Sequence, residues 1–588
     1  MYLSTEKPSK STRGYTVTFH GNGLKFADGT DENMVVYNSS GQIVEGSYKE
    51  AVGTGVAWYS DEACKNRVMI SDDGVPQVEL TGDLDLWAKE MTFEIKGYNN
   101  DYQKKYNDFN YSIPDTVTEV IFTDEAKPKT KEAIDVDADG DGGVIAWLDD
   151  DAGAVMKVST QIPGMKVRAA KGSSYMFYGR NKIQKIDFKM LDTQNVTDMC
   201  SMFNGCSGLT SLDLTPLDTQ NVTDMSGMFS GCRGLISLNL TSLNTQNATD
   251  MNDMFFRCSG LTSLDLTPLD TQKVTDMSGM FNSCYRLTSL DLTSLNTQNV
   301  TNMGYMFAGC IKIAEIDCSS LNAKKVISAA DMFCYCENLS KLKLPTFSEK
   351  LKKINQSGIV YVNEGNPSLA NGMFEKCYKL TNIDLAPLNT SNVTDMSYMF
   401  SDCSGLTSLD LTPLNTQNVT SMGHMFDNCR SLTSLDLTPL DTQNVANMEG
   451  MFRSCVRLTS LDLTPLDTQN VTNMSSMFYG CSGLTSLNLS PLDTSKVANM
   501  EFMFCYCSSL TSLDLTPLDT QKVTDMGWMF NGCSSLTSLT TGTNFKFVGT
   551  DYKLSGTWQN TAGETFNGND GTANFPSNVA DTYTKISN

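Results

Sequence analysis

Several groups of residues in this 588-residue chain could do chemistry. The first is the run Asp135-x-Asp137-x-Asp139-Gly140-Asp141. Oxygen ligands at alternate positions with a glycine at the bend open a calcium loop. A helix–loop–helix calcium site also needs glutamate at its twelfth position, where Ala146 stands. The run reads first as an acidic turn and second as a looser calcium turn, so Ca2+ is the only cofactor suggested. The second group is a set of large side chains at variable positions: Tyr305, Tyr398, His424, Phe502 and Trp528 in one slot, with Tyr335, Arg453, Tyr479 and Tyr506 in slots nearby. Exposed aromatics and arginine are the currency of recognition surfaces; drift at tolerant positions is the competing reading. The third is Lys350, Lys352 and Lys353, which with Lys341 and Lys343 make a basic patch beside Tyr361, a docking knob or a tolerated insertion. The fourth is a recurring aspartate, Asp213 and its counterparts such as Asp265, Asp291 and Asp410. It reads first as a solvated strand face and second as a cation-screened one.

No catalytic constellation joins these groups. The two histidines, His20 and His424, lie in different segments. No phosphate loop, metal-spaced Cys/His set or nucleophile motif is present, so the expectation is a non-enzyme.

What must position these residues is a 26-residue unit, seen at Leu209–Gly234 as LTSLDLTPLDTQNVTDMSGMFSGCRG. The dipeptide Met-Phe marks fourteen copies, from Met176-Phe177 to Met529-Phe530. Each step is 26 residues except one of 41, from Met332 to Met373. A fixed period of this size means a solenoid. L-x-x-L-D-L is a leucine-rich-repeat strand, with Leu212 and Leu214 inward and Asp213 outward. Val222, Met225, Met228 and Phe229 follow at the spacing of one face of a short helix, for which Asn221 or Thr223 would be the cap. Thirteen cysteines, among them Cys206, Cys232 and Cys533, share one repeat position. They read as a buried column of free thiols rather than disulfides, which would pull on a regular stack. One coil cannot bury enough surface to offset its own ordering, so stacking is obligatory. The Asn-x-Thr tripeptides, as at Asn221, fall at the expected cap position, which explains them without sugar.

The chain then divides as a flexible N-terminus (1–13), a small β module (14–92), a polar linker (93–112), an N-terminal β cap (113–180), the solenoid (181–540, with its insertion at about 345–370) and a C-terminal cap (541–588). The fold class is mainly β with short helical turns. Net charge is −23, which argues against nucleic acid and anionic membranes as partners. No apolar run is long enough to span a bilayer, and the N-terminus carries no signal-peptide core. The expectation is a cytosolic protein or a trimmed ectodomain.

Two resemblances sharpen this. YTVTFHGNG, WYSDEAC and TGDLDLWAK resemble the Listeria–Bacteroides repeat, a β-grasp-like spacer of bacterial surface proteins. LDTQNVTDMSGMFSGCSGL resembles the leucine-rich repeat of BspA-like bacterial surface proteins, at superfamily level because the BspA repeat is shorter and carries Ala-Phe for Met-Phe. The resemblance implies an extracellular or cell-surface bacterial protein whose partners are host or neighbouring-cell proteins, extracellular matrix included. A self-assembling coat or filament protein and a glycan-binding module are the alternatives.

Overall fold

The computed structural model describes residues 14–587 apart from 39, 53–54, 72–73, 99–107, 362–366, 550 and 569–574. The expected flexible N-terminus and residues 99–107 of the expected linker lie outside the described residues. The chain forms two compact units, one of residues 1–176 with 185–196, the other of 177–184 with 197–588.

Among the described residues the first unit holds two larger sheets and two two-stranded ones, Lys25–Phe26 with Ala51–Val52 and Val167–Arg168 with Leu191–Asp192. In the six-stranded sheet the strand order is Ile43–Glu45, Glu32–Tyr37, Tyr15–His20, Leu84–Glu90, Val56–Tyr59, Arg67–Val68. Its first and last long strands, Tyr15–His20 and Leu84–Glu90, pair in parallel at the centre. Alternation puts Val17 and Phe19 under the sheet with Val35, Tyr37, Trp58 and Leu86. The second sheet has five strands, ordered Ile134–Asp135, Ile145–Leu148, Val155–Ser159, Glu119–Thr123, Lys185–Asp187. Its last strand is the first L-x-L equivalent of the repeat.

The second unit is the leucine-rich solenoid. In the coil from Leu209, the side chains Leu212, Leu214, Leu217, Val222, Met225, Met228, Phe229, Cys232 and Leu235 are all buried. The Met-Phe phenylalanines form one unbroken column. Ring centroids are 5.7 Å apart from Phe177 to Phe203 and 6.1 Å from Phe504 to Phe530, with the planes nearly parallel. The column crosses the 41-residue step without a gap, since Phe333 and Phe374 stand 5.9 Å apart. The cysteines are free thiols. Each repeat-position thiol donates to the carbonyl of the phenylalanine one coil back, as Cys232 Sγ does to Phe203 O at 3.1 Å. Burial pushes the Cys206 thiol up to about 12, which disfavours the reactive thiolate.

The expected short helix is not there. From Met225 to Leu235 the chain makes consecutive tight turns, with Met228 N to Met225 O at 3.2 Å, Ser230 N to Gly227 O at 2.9 Å and Cys232 N to Phe229 O at 3.1 Å. Gly227 and Gly231 have φ of +58° and +69°, which no right-handed helix tolerates. The intervening N–H groups leave the coil altogether. Met225, Gly227, Phe229 and Gly231 donate to Asp250, Asn252, Met254 and Phe256 of the next coil. Backbone donors that only a neighbour can satisfy are a second reason, beside burial, why coils must stack.

The expected cap residues bridge coils instead. Thr223 Oγ1 donates to Thr197 O at 3.2 Å, and Asn247 Nδ2, at the Asn221 position, donates to Gln220 O at 2.7 Å. Among the described residues, L-x-L segments pair with one another as regular strands only at Glu315–Asp317 with Lys341–Lys343 and at Ser512–Asp514 with Ser538–Thr541, Lys185–Asp187 pairing instead with Glu119–Thr123. In most coils Asp213 or its counterpart accepts the N–H of the threonine two residues on, as with Thr215 at 3.0 Å, and starts a turn at once. The continuous parallel ladder runs instead through Asp198, Asp224, Asp250, Asp276 and Asn302. A hydroxyl ladder lies beside it: buried Thr442 donates to Asp467 O at 2.9 Å and accepts from Asp467 N at 2.8 Å, a pattern repeated at Thr219, Thr245 and Thr416.

At the C-terminal end, Ser538–Thr541 pairs antiparallel with Asp581–Ser587, which pairs with Thr557–Gln559 and so reaches Thr565–Asn567. Phe545, Phe547, Trp558, Phe575 and Tyr583 fill this end of the solenoid. Among the described residues no helix is long and apolar enough to cross a membrane.

Candidate interaction surface

All coils but the one containing Gly372 carry two left-handed residues, at the Gly227 and Gly231 positions. Glycine adopts that conformation freely, and a bulky side chain there costs about 1–3 kcal/mol. Several coils nevertheless place large residues in it. Tyr398, His424, Phe502 and Trp528 have φ between +56° and +58° in the first slot, and Tyr506 has φ +57° in the second.

These residues are brought together across six successive coils. The Tyr398 ring stacks on the His424 imidazole at 4.7 Å and 11°. His424 Nδ1 meets Asp427 Oδ2 at 3.1 Å, and His424 Nε2 faces Glu449 Oε1 at 3.6 Å. Arg453 Nη1 stands 3.9 Å from the same Asp427 oxygen, and its guanidinium lies over the Tyr479 ring at 4.8 Å. Tyr479 meets the edges of Phe502 at 6.2 Å and Tyr506 at 5.6 Å. Phe502 stacks on Trp528 at 6.4 Å, and Lys553 Nζ lies over that indole at 4.9 Å. Tyr506 is 50% exposed and Trp528 40%. Burial, then the Glu449 and Asp427 charges, raises the Tyr398 hydroxyl above its usual range. Seven of the residues singled out from sequence thus form one array, to which Asp427, Glu449 and Lys553 are added. Asp427 shares its slot with Arg453 and Tyr479, but most other coils hold serine, asparagine, alanine or cysteine there, and the sequence reading did not single it out.

Tyr305 and Tyr335 belong elsewhere. The extra residues of the 41-residue step close as a hairpin, Gly358–Tyr361 with Pro367–Ala370. Tyr305 donates to Gln356 O at 2.6 Å and Tyr335 to Leu369 O at 3.2 Å. Tyr335 is 7% exposed and packs with Ala308, Cys334 and Val360, while Lys376 lies over its ring at 4.2 Å. Both tyrosines are anchors beneath the hairpin, not exposed recognition residues. The expected basic patch is also divided. Lys341 pairs with Glu315 and Lys343 with Asp317, each at 2.6 Å. Lys350, Lys352 and Lys353 are exposed but lie on the coil before the hairpin; Lys353 O accepts from Ala329 N at 2.9 Å in the ordinary inter-coil pattern. Asp265, in the column that suggested a cation-screened face, is held below the usual carboxylate range by hydrogen bonds from Thr267, backbone first. Its role is to close a turn.

Of the four aspartates in the acidic run, three converge. Asp137, Asp139 and Asp141 offer oxygens all within 4.8 Å of one another. Asp135 departs: its Oδ2 pairs with Lys96 at 3.0 Å and its Oδ1 accepts from Asp137 N at 3.1 Å. Asp139 Oδ2 meets Lys89 at 3.3 Å. Asp141 accepts from Thr92 N at 2.6 Å and Gly143 N at 2.8 Å. Burial, then the Asp141 charge, pushes Asp137 up to about 7.

The fold and the coil surface together define a leucine-rich-repeat protein. Residues 171–265, 259–358, 343–461 and 455–554 each match the family described as "Mycoplasma protein of unknown function, DUF285", and the chain belongs to that family. Among solved structures it is similar to a leucine-rich repeat protein from Eubacterium ventriosum, at 16% identity over 68% of this chain and 91% of that one, with a TM-score of 0.25. It is also similar to the receptor chain of a TLR13–ssRNA13 complex, at 19% identity over 61% of this chain, with a TM-score of 0.22; the match spans 54% of that chain. No curated protein sequence matches it.

Proposed function

We propose that this protein is a non-enzymatic interaction scaffold, displayed on or secreted from a bacterial cell, that binds other proteins through the array from Tyr398 to Trp528. One observation carries the reading. Five large residues of the array occupy left-handed backbone positions that other coils fill with glycine, as at Gly227, Gly279 and Gly231, or mostly with small polar residues, as at Ser201, Asp253 and Ser454. At about 1 kcal/mol or more each, the array stores on the order of 5 kcal/mol that glycines would release. Such strain is retained where the side chains themselves are needed. The tyrosines and tryptophan among them, with Arg453 beside them, are of the types that dominate binding energy at protein interfaces. His424 supports binding over catalysis, since both ring nitrogens face carboxylates, not a hydroxyl or thiol nucleophile. Extracellular matrix and surface proteins of host or neighbouring cells are the partner class, in keeping with the BspA-like resemblance of the repeat.

The test is retention of immobilised matrix proteins and intact cells by the full chain, beside a variant carrying Arg453→Ala, Tyr506→Ala and Trp528→Ala. A partner retained by the parent chain and weakened at least tenfold in the variant supports the reading. Equal retention by both chains overturns it. So do ordered self-assembly in negative stain without any partner, or selective glycan-array binding.

A further inference from the structure

The loop joining Ile134–Asp135 to Ile145–Leu148 in the first unit is built around its carboxylates. Gly140 and Gly142 take φ of +77° and +78° to turn it back on itself. Asp139 Oδ1 accepts from Asp141 N at 3.2 Å, and Asp141 Oδ1 from Gly143 N. Asp137 Oδ2 accepts from Gly142 N. Each engaged oxygen keeps a free lone pair. Asp137 is 2% exposed, and its Oδ1 is buried with no hydrogen-bond partner. A carboxylate oxygen shut away from water without a donor is costly, and buried carboxylates of this kind are paired or coordinate a metal.

We propose that Asp137, Asp139 and Asp141 hold a hard divalent cation, Ca2+ in preference to Mg2+, that pins this loop against the segment Lys89–Thr92 of the neighbouring sheet. Coordination number and rigidity favour the larger ion. Oxygens on opposite sides of Ca2+ lie up to roughly 4.8 Å apart, against about 4.2 Å for Mg2+, which also demands near-ideal octahedral geometry. The three aspartate oxygens, all within 4.8 Å of one another, fall inside the reach of the larger ion, whose flexible coordination accepts an irregular set. Asp139 is exposed, so water can complete the six to eight oxygens that Ca2+ takes. Two cations oppose the ion. Lys89 binds Asp139, and Arg67 Nη1 donates to Gly140 O at 3.4 Å. Lys89 competes directly for a ligand oxygen, whereas Arg67 engages a carbonyl. The loop already reaches the first sheet through Thr92 N, so an ion at its centre stiffens the junction between the two larger sheets of this unit.

The experiment uses the full chain stripped with a chelator. Ca2+ is titrated to about 1 mM, the range of extracellular calcium modules, while thermal unfolding is followed. Terbium luminescence sensitised by Tyr59, whose ring lies 6.0 Å from Lys89 Nζ, reports the site itself. Expected are saturable single-site binding, a melting transition raised by a few degrees, and loss of both in Asp137→Asn. Lys89→Met removes the competing ammonium and is expected to tighten binding on the order of tenfold at low salt. No saturable response in the parent chain overturns the proposal, as does an Asp137→Asn chain that binds equally well. Should Asp137→Asn fail to fold, Lys89→Met decides alone, and unchanged or weaker affinity overturns it. An equal response to Mg2+ overturns the preference for Ca2+.

Discussion

Replacing Thr442 by valine keeps the shape of the side chain and removes only its hydroxyl. That hydroxyl lies at a residue 1% exposed, donating to Asp467 O at 2.9 Å and accepting from Asp467 N at 2.8 Å. Two hydrogen bonds at about 0.5–1.5 kcal/mol net are lost, and the Asp467 N–H and C=O lose a partner across the coil boundary. The exposure of Asp467 itself lets water recover part of this, so the expected destabilisation is about 2 kcal/mol. In a solenoid each coil contacts only its neighbours, so the loss stays local. Hydrogen exchange followed by mass spectrometry on the full chain is the assay. Peptides covering the Thr442 and Thr468 coils should exchange on the order of 30-fold faster, with those near Thr245 unchanged. Thr442→Ser should restore protection. Unchanged exchange in Thr442→Val would falsify the hydroxyl ladder, and uniform loosening along the solenoid would contradict nearest-neighbour stacking.

Other outcomes follow from the same geometry. Phe426→Ala opens a gap in a fully buried ring column, 6.0 Å from each neighbouring ring, and should cost about 3–5 kcal/mol, read as a lowered denaturant midpoint. Asp331 is completely buried, and burial pushes its carboxyl up to about 8. The folded chain therefore holds this proton where the unfolded chain has released it. Its stabilising contribution is full below about pH 4 and is lost as pH rises through about 8. Protection around Gln356, whose N–H faces Asp331 at 3.3 Å, should fall between pH 5 and pH 8.5 after correction for intrinsic exchange, and Asp331→Asn should flatten that dependence. Tyr305→Phe removes the hydroxyl that holds Gln356 O and should make the 355–371 segment more sensitive to proteolysis, with the Tyr398–Trp528 array intact.

The buried set of each coil was legible in the sequence because one residue type returns to one environment fourteen times. Spacing alone could not distinguish a helix from chained turns, since Val222, Met225, Met228 and Phe229 point inward in either. The discriminating signal was the glycine at the Gly227 and Gly231 positions, which marks left-handed backbone rather than tolerance. With that reading, Tyr398 and Trp528 stop looking like drift and become residues held at a cost. Tyr305 and Tyr335 shared the same slots, and nothing local showed that they would be covered. Their partners, Gln356 and Leu369, lie 51 and 34 residues away on a hairpin whose docking depends on tertiary contact. The threonine of Asp-Thr-Gln was visible as a recurring letter of the repeat, replaced by Ala323 and Phe347 in two coils. Its two bonds to the next coil were not, because they belong to the stack and not to any single copy.

The claim beneath all of this is that coils lie on one another with methionine, phenylalanine and cysteine inside, and thiol labelling under native conditions tests it most directly. Cys64 and Cys200 are the only half-exposed thiols; the other sixteen are buried. A maleimide should modify those two promptly and the remaining sixteen only after denaturation, with no mass change on prior reduction. Prompt native labelling at Cys232, Cys403 or Cys455 would mean that the coils do not close on one another.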